Sequence, residues 1–198
     1  MKIEEIMMEL IGNYNNDCDD FELLTSLAPE NCYYIDRFPL IVKSFEKYEQ
    51  VELYYKKVIN DNALIESFRI EELKFVNVIK KLWLYSDLIV QSNLLEESYG
   101  TINSILEGSS EYITNLKKNM ENSGDDAITI ENVNHLDLLV KLAVREIVFS
   151  KLLFVDLKIL IIAYGLCFQV YIHDLNKLQF LNKIISTEGL YLRPFMSN

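Results

Sequence analysis

The chain has 198 residues, of which half are apolar and a quarter are charged, and its net charge at pH 7 is −11. This length supports one well-packed core, and a content of six Gly and three Pro argues against long linkers or low complexity. Because the negative charge repels phosphate backbones and anionic membrane surfaces, we expect neither nucleic acids nor membranes as partners.

The charge is distributed unevenly along the chain. Residues 1–132 contain 25 Asp and Glu against 12 Lys and Arg, whereas residues 133–198 contain 5 against 7. We therefore expect a single domain, 1–198, with an acidic, mostly helical part over 1–132 and a nearly neutral part over 133–198. The polar stretch 121–132 is the predicted mobile loop between the two parts.

The acidic part begins with a predicted helix. Its apolar positions follow the spacing of one helical face: Ile3, Ile6, Met7, Leu10 and Ile11. The first residues lack the basic, apolar and small-residue order of a signal peptide, which predicts a cytoplasmic protein. Asp19 or Asp20 is then expected to cap a short helix that ends before Pro29, because the residue preceding proline is pushed out of the helical region. Residues 31–40 predict a loop or a short extended piece.

Helical patterns continue from residue 44 to residue 147. Ser44 is the expected cap of a surface helix that runs to Ile59, and residues 68–90 predict a buried helix that is apolar on more than one face. An extended conformation over 82–90 is the alternative for the end of that helix. Further helical segments are predicted over 102–106, over 110–120 and, after a cap at Asn134, over 136–147.

After residue 147 the pattern changes to extended structure. Three segments rich in β-branched and aromatic residues are separated by short turns: 149–155, 159–164 and 166–172. They predict an antiparallel meander, and a single buried helix over 148–172 is the alternative. In the third segment apolar residues alternate with Gln169, Tyr171 and His173, which indicates that one face of that strand is wetter than the other. Asp174 is expected to cap a closing helix that ends at Gly189, and residues 190–193 could form one more strand.

Together these segments predict an α+β fold, in which a mainly helical N-terminal layer packs on a small C-terminal antiparallel β-meander with a closing helix. The apolar run Ile159–Ile172 is shorter than the roughly 20 residues needed to cross a bilayer, so we assign it to the core. The cysteines are odd in number and lack metal-site spacing, which indicates free thiols in a reducing compartment: Cys18, Cys32 and Cys167.

No pattern of residues indicates catalysis or a cofactor. The only two histidines, His135 and His173, each stand next to an expected helix cap. A pair of Cys167 and His173 is the sharpest nucleophile hypothesis, but on one strand the two would lie roughly 20 Å apart at about 3.3 Å per residue. The glycine-rich phosphate-binding motifs are absent. No catalytic residue, cofactor or metal ion is therefore predicted.

The densest acidic group resembles a cation site at first sight: Asp17, Asp19, Asp20 and Glu22. It lacks the internal glycine and the late glutamate of a calcium-binding loop. Helix N-termini are rich in acidic residues because the helix dipole favours negative charge there. We therefore interpret this group as the start of a helix.

Tyrosines beside carboxylates are the predicted binding feature. A tyrosine anchor with acidic residues around it suits a basic protein partner, and packing in the core is the alternative for each tyrosine. The predicted partner-binding residues are Asp17, Asp19, Asp20, Glu22, Tyr33, Tyr34, Glu96, Glu97, Tyr99, Asp125 and Asp126.

The leading functional expectation is non-enzymatic protein binding. In general character the chain looks like bacterial immunity or antitoxin-type inhibitors, which are often small, acidic and free of motifs. This likeness is one of class, since no residue motif assigns a family. Such a protein would neutralise or mask a basic partner. The alternatives are a regulatory or scaffolding subunit that forms a homo-oligomer, and an enzyme whose carboxylate chemistry is not visible in the sequence.

Overall fold

A computed structural model describes residues 20–106, 108, 110–123 and 127–195. Its helices are α1 (Asp20–Leu27), α2 (Phe45–Val51), α3 (Tyr55–Val58), α4 (Asn62–Trp83), α5 (Tyr99–Ile105), α6 (Ser110–Ser123), α7 (Val133–Val144) and α8 (Leu178–Thr187). Its strands are β1 (Cys32–Asp36), β2 (Leu88–Ser92), β3 (Ala127–Thr129), β4 (Ser150–Phe154), β5 (Ile159–Ala163), β6 (Cys167–Ile172) and β7 (Tyr191–Pro194). Short 3-10 turns cover Pro29–Asn31, Asn93–Glu96 and Leu175–Lys177. The helix predicted over residues 3–11 lies outside the described residues.

The strands form one seven-stranded sheet in the order β3-β2-β4-β5-β6-β1-β7, in which every neighbouring pair is antiparallel. This confirms the predicted α+β class. The predicted meander corresponds to β4, β5 and β6, in which Leu152 lies opposite Ile161 and Ile161 opposite Val170. The alternative of one buried helix over 148–172 is wrong, because the backbone groups of these residues bond between strands.

The sheet extends beyond the predicted meander. Strands β1, β2 and β3 come from the acidic part of the chain, and β1 pairs with β6 while β2 pairs with β4. The change of charge near residue 132 therefore does not separate helices from sheet. Residues 31–40, predicted as a loop or short extended piece, contain a strand bonded on both sides. The predicted mobile loop 121–132 includes the end of α6 and strand β3, which corrects that prediction.

Helices cover both faces of the sheet. On one face α4 and α7 pack together, and the ring of Phe75 lies 4.8 Å from that of Phe168 between their centroids. On the other face, Phe21 and Leu24 of α1 join a second buried cluster with Tyr171. Strand β5 is buried along its whole length, which explains why its sequence is continuously apolar rather than alternating. Strand β6 has the predicted wetter face, since Phe168, Val170 and Ile172 are buried whereas Gln169 is partly exposed and His173 exposed, although Tyr171 on that wetter face is buried.

The surface helix predicted from residue 44 to residue 59 is two helices. Ser44 caps α2 as predicted, since its hydroxyl accepts the backbone N–H three residues later at 3.3 Å. Extended backbone at Glu52 and Tyr54 then separates α2 from α3. Tyr55 and Val58 of α3 are buried, whereas Val51 of α2 is exposed.

The ends of the later helices follow the sequence closely. The side chain of Asn132, rather than Asn134, caps α7, and it accepts the N–H of Asn134 at 2.8 Å. Asp174 caps the 3-10 turn that leads into α8, and Gly189 follows the end of α8 with a φ of 74°. The strand suggested over 190–193 is present as β7. Helix α4 ends at Trp83, and β2 begins at Leu88. The extended alternative for residues 82–90 is therefore correct from Leu88 onward.

Arg145 and Glu72 form a buried ion pair. Arg145, which follows α7, donates from Nε to Oε1 of Glu72 at 2.6 Å and from Nη2 to Oε2 at 2.8 Å. Its Nη1 donates to the carbonyl of Ile105 at 2.7 Å, and its guanidinium lies 4.9 Å from the ring centre of Tyr55. Burial alone would lower the pKa of Arg145, but the Glu72 carboxylate raises it, so the side chain stays charged. This interaction ties α7 to α4, α5 and α3.

We expect Glu72→Gln to lower the free energy of unfolding by about 3 kcal/mol, because the change leaves a buried guanidinium without its counter-charge. The matched control is Glu66→Gln on the same helix. Its pair with Arg69 is exposed, so it should contribute less than about 1 kcal/mol. Urea denaturation measures both variants, and equal losses would contradict the importance of the buried pair.

Candidate functional site

The predicted partner-binding residues that the structure describes do not form one surface. Four of them lie outside the described residues: Asp17, Asp19, Asp125 and Asp126. Asp20 is the first residue of α1, and Glu22 is exposed on the same helix. Tyr33 is buried in the main core, so packing explains it. Tyr34, on the other face of β1, is partly buried, and its ring centre lies 5.5 Å from that of Phe21.

The remaining predicted residues, Glu96, Glu97 and Tyr99, follow β2. Three strands separate β2 from β1, so this group lies roughly 19 Å from Tyr34 at about 4.8 Å per strand. The ammonium group of Lys117 lies 4.8 Å from the ring centre of Tyr99 and donates to the carbonyl of Glu97. The ring of Tyr99 therefore already contacts a cation of the chain itself.

Residues 96–131, here called the acidic lobe, hold much of the negative charge. They contain eight Asp and Glu against two Lys, a balance of −6 in a chain of −11. Among the described residues Glu111, Glu121 and Glu131 are exposed, whereas Lys117 is buried. Lys118 is exposed, so exposed carboxylates outnumber exposed lysines among the described residues of this lobe.

An exposed run of apolar residues lies between β1 and α2, and sequence reasoning missed it. Leu40, Ile41, Val42 and Phe45 form this apolar strip, in which Leu40 and Phe45 expose 72% and 69% of their surface. Single exposed apolar side chains are ordinary, but an apolar patch of this kind is typical of a surface that contacts another molecule. The signal in the sequence is an apolar run directly before the Ser44 cap, where turn residues are usual.

A cleft of about 640 Å³ lies beside the apolar strip. It is lined by the segment from β1 to α3, by the turn between β5 and β6, and by Glu146 and Arg193. Its aromatic lining residues are Tyr34, Phe38, Phe45, Tyr48, Tyr54, Tyr164 and Phe195. A concave, aromatic surface with a few charged groups is the usual form of a binding site.

Three of the six charged side chains that line this aromatic cleft are in ion pairs: Asp36, Arg193 and Glu52. Arg193 donates to Asp36 at 2.9 Å and lies 4.8 Å from the ring centre of Tyr34. Glu52 accepts from Lys57 at 2.9 Å. These pairs fix the two ends of the segment from β1 to α3, since Asp36 ends the strand and Glu52 follows α2.

The cysteine in the cleft is not an activated nucleophile. The thiol of Cys167 donates to Asp36 at 3.8 Å. Loss of solvent around the sulfur, together with the Asp36 carboxylate, raises the pKa of Cys167 to about 12, so the thiol is protonated at neutral pH. Cys167 begins β6 and His173 follows its other end, as the sequence predicted for this pair.

Glu146 adopts a backbone conformation that favours glycine. Helix α7 ends with hydrogen bonds of 3.0 Å from the N–H of Glu146 to the carbonyl of Ala143 and from the N–H of Ile147 to that of Leu142. This is the Schellman arrangement, in which the residue after the helix is left-handed and is usually glycine. Glu146 has a φ of 58° there. The same arrangement ends α8, where Gly189 takes the corresponding position.

The Glu146 carboxylate lies in the aromatic cleft. A Cβ atom on Gly165 would lie 2.9 Å from Oε1 of Glu146, so the glycine leaves room for the carboxylate. The hydroxyl of Tyr54 donates a hydrogen bond to it. Burial raises the pKa of Glu146, while the Tyr54 hydrogen bond and the charge of Lys56 act in the opposite direction. Among the described residues, none forms an ion pair with Glu146.

A second cleft, of about 720 Å³, lies between α4, α7 and residues 104–112. Its charged side chains are paired: Asp137 with Lys80 and Lys141, Glu66 with Arg69, and Arg145 with Glu72. Within the described ranges, no group of three or more His, Cys, Asp or Glu side chains could hold a metal ion. In the same ranges, no helix combines the length and apolar character needed to cross a membrane.

Comparison with protein-family models, curated proteins and solved structures gave no match to this chain. The candidate site is therefore defined by geometry: an apolar strip, an aromatic cleft beside it that holds Glu146, and an acidic lobe at a distance. The aromatic cleft is the better candidate of the two clefts, because it contains a carboxylate without an ion pair.

We expect Glu146→Gly to raise the free energy of unfolding by about 1 kcal/mol, because glycine adopts positive φ without the strain that other residues carry. The matched control is Gly189→Ala, at the equivalent position of α8, where an added Cβ would meet no atom within 4 Å. This control should lower the free energy of unfolding by a similar amount. Urea denaturation measures both, and a destabilised Glu146→Gly variant would contradict the assigned strain.

The raised pKa of Glu146 also predicts a dependence on pH. The folded state holds this proton more tightly than the unfolded chain, so its stabilisation is full below the unfolded pKa of about 4.3 and is lost as pH rises through the folded pKa. Glu146→Gln has no such proton. Relative to the original chain, this variant should therefore gain stability between about pH 4 and pH 7 in urea titrations. If the difference in free energy of unfolding between the two proteins does not change with pH, burial does not affect the carboxylate.

Proposed function

We propose that this chain is a protein-binding protein that masks or inhibits a basic partner, in the manner of small immunity or antitoxin-type inhibitors. The observation that supports this most is the exposed apolar strip beside an aromatic cleft on a chain of net charge −11. Aromatic and apolar side chains at the centre of a contact provide most of its binding energy. The net charge favours a partner of opposite sign.

The charged and apolar features lie in different places, and each suits a different step of binding. The acidic lobe contains β3 and follows β2, at one edge of the sheet, whereas the apolar strip follows β1, which lies next to the other edge. Charge acts through solvent over about 8–10 Å at physiological salt, so the lobe need not touch the partner to attract it. The strip stabilises the complex only through direct contact. Charge should thus set the association rate, and the strip the dissociation rate.

A pull-down at low salt, followed by identification of the bound protein by mass and its purification, provides the partner for a kinetic test. Raising salt, or changing Glu111, Glu121 and Glu131 to Gln, should lower the association rate constant, because both changes weaken attraction at a distance. Phe45→Ser should instead raise the dissociation rate constant about tenfold or more, because it removes an apolar contact.

The matched control for the strip is Leu84→Ser. Leu84 is also exposed, at 75%, but it follows α4 and lies outside the cleft lining. This variant should bind with unchanged kinetics. An association rate that does not respond to salt, or a dissociation rate that responds equally to Phe45→Ser and Leu84→Ser, would contradict the proposal.

A scaffolding subunit is the second candidate function, and the apolar strip again favours it. Two copies of the chain could cover each other's strips in a symmetric dimer. The molecular mass in solution separates the two functions. A dimer that Phe45→Ser converts into a monomer would support the scaffold, whereas a monomer at all concentrations would support binding to a different protein.

A further inference from the structure

We propose that Glu146 is the charged end of a socket that receives a basic side chain, Lys or Arg, of the partner protein. The socket is the part of the aromatic cleft around the Glu146 carboxylate, Tyr54 and Gly165. This inference rests on the proposed function, because it names the chemical group through which a basic partner enters the site.

Charge complementarity is the first support for the socket. Three carboxylates line the aromatic cleft, and two of them are neutralised, Asp36 by Arg193 and Glu52 by Lys57. Glu146 is the third, and it has no ion pair among the described residues. A carboxylate partly removed from water without a counter-charge is unfavourable, so a cation that enters the cleft gains more there than at an exposed carboxylate.

The other cations of the cleft do not neutralise Glu146. Arg37 lies 5.1 Å from the ring centre of Phe38, and Lys43 is exposed beside the apolar strip. The charges that act on the Glu146 carboxyl come from Lys56 and Glu52, which have opposite signs. Since no described cation forms an ion pair with this carboxylate, it can accept one from a partner.

The surroundings of Glu146 suit a long basic side chain. The ring of Tyr164 lines the same cleft, and aromatic faces attract Lys and Arg head groups. The methylene stems of these side chains pack well against apolar surface, which Phe45 of the strip provides at the cleft. A single Lys or Arg can thus contact carboxylate, ring and apolar strip together.

Backbone strain is the second, independent support. The end of α7 requires a left-handed residue, and Gly189 shows that the chain uses glycine at the equivalent place in α8. At α7 the position holds Glu146, whose Oε1 would lie 2.9 Å from a Cβ atom on residue 165. Strained residues of this kind concentrate at binding and active sites, where the side chain is needed.

The test uses two small probes and the full chain labelled with nitrogen-15. Nα-acetyl-arginine amide and Nα-acetyl-lysine amide are each titrated while the amide signals of Gly165 and Glu146 are followed. We expect saturable shifts with at least one of them, and Nα-acetyl-alanine amide should give none. Glu146→Gln should weaken probe binding about tenfold or more, because a charge-assisted hydrogen bond is lost. Glu49→Gln, an equal change of charge on the exposed face of α2, should bind the probe like the original chain.

Absence of saturable shifts with both probes would overturn the socket, and so would equal binding by Glu146→Gln and Glu49→Gln. Unfolding of each variant is measured alongside, and Glu146→Gly provides a second test of the same carboxylate if Glu146→Gln is unstable. If a probe binds but no protein partner shows salt-dependent association and Phe45-dependent dissociation, the proposed function is rejected and the socket is not. If Phe45→Ser weakens binding of the partner and Glu146→Gln does not, the socket is rejected and the proposed function is not.

Discussion

The candidate site depends on the buried contacts of Arg145. Its guanidinium joins Glu72 of α4, the last carbonyl of α5 and the ring of Tyr55 in α3. A buried charge with its hydrogen bonds satisfied holds its surroundings in one arrangement, because any displacement leaves charge unpaired at low dielectric. Since Arg145 follows α7 directly, its position also fixes where the chain turns at Glu146.

Two pairs of residues that are adjacent in sequence lie in different places, one pair in the core and the other in the aromatic cleft. Tyr55 and Arg145 interact inside the protein, and the residues next to them, Tyr54 and Glu146, interact in the aromatic cleft. The inner pair is supported by Glu72, whereas the outer carboxylate forms no ion pair with a described residue. Rigid support beneath an exposed binding group reduces the entropy lost when a ligand binds. The arrangement thus presents an open carboxylate on an ordered backbone.

The sequence predicted the elements whose signals are local. The meander follows from β-branched runs separated by turns, and the caps at Ser44 and Asp174 follow from single residues that bond to nearby N–H groups. Strand β1 was harder to predict, because its five residues are paired by β6 and β7, which come more than a hundred residues later. No local pattern carries that information. The register of a sheet depends on such distant partners.

Of the predicted partner-binding residues, Tyr34 lines the aromatic cleft, and the other residues of the cleft were not predicted for a related physical reason. Tyrosines beside carboxylates drew attention to Tyr33 and Tyr99, but Tyr33 packs in the core and the ring of Tyr99 contacts Lys117. Both outcomes depend on contacts between distant segments. Glu146 has a local signal in principle, because a helix that ends without glycine must place another residue in a left-handed conformation. That signal is visible only once the end of α7 is known.

The ends of α7 and α8 have the same Schellman geometry but different residues at the left-handed position, so they can be compared directly. At Gly189 the residue type is the one that the backbone prefers, and an added side chain would meet open space. At Glu146 the same backbone holds a charged side chain, partly buried and without an ion pair, against Gly165. The residue type at a position normally suits the backbone conformation that the fold requires there. Exceptions are expected mainly at functional sites. At Glu146 this exception occurs where a carboxylate faces an aromatic cleft beside an exposed apolar strip. A binding role of the carboxylate would account for a residue type that the backbone alone does not favour.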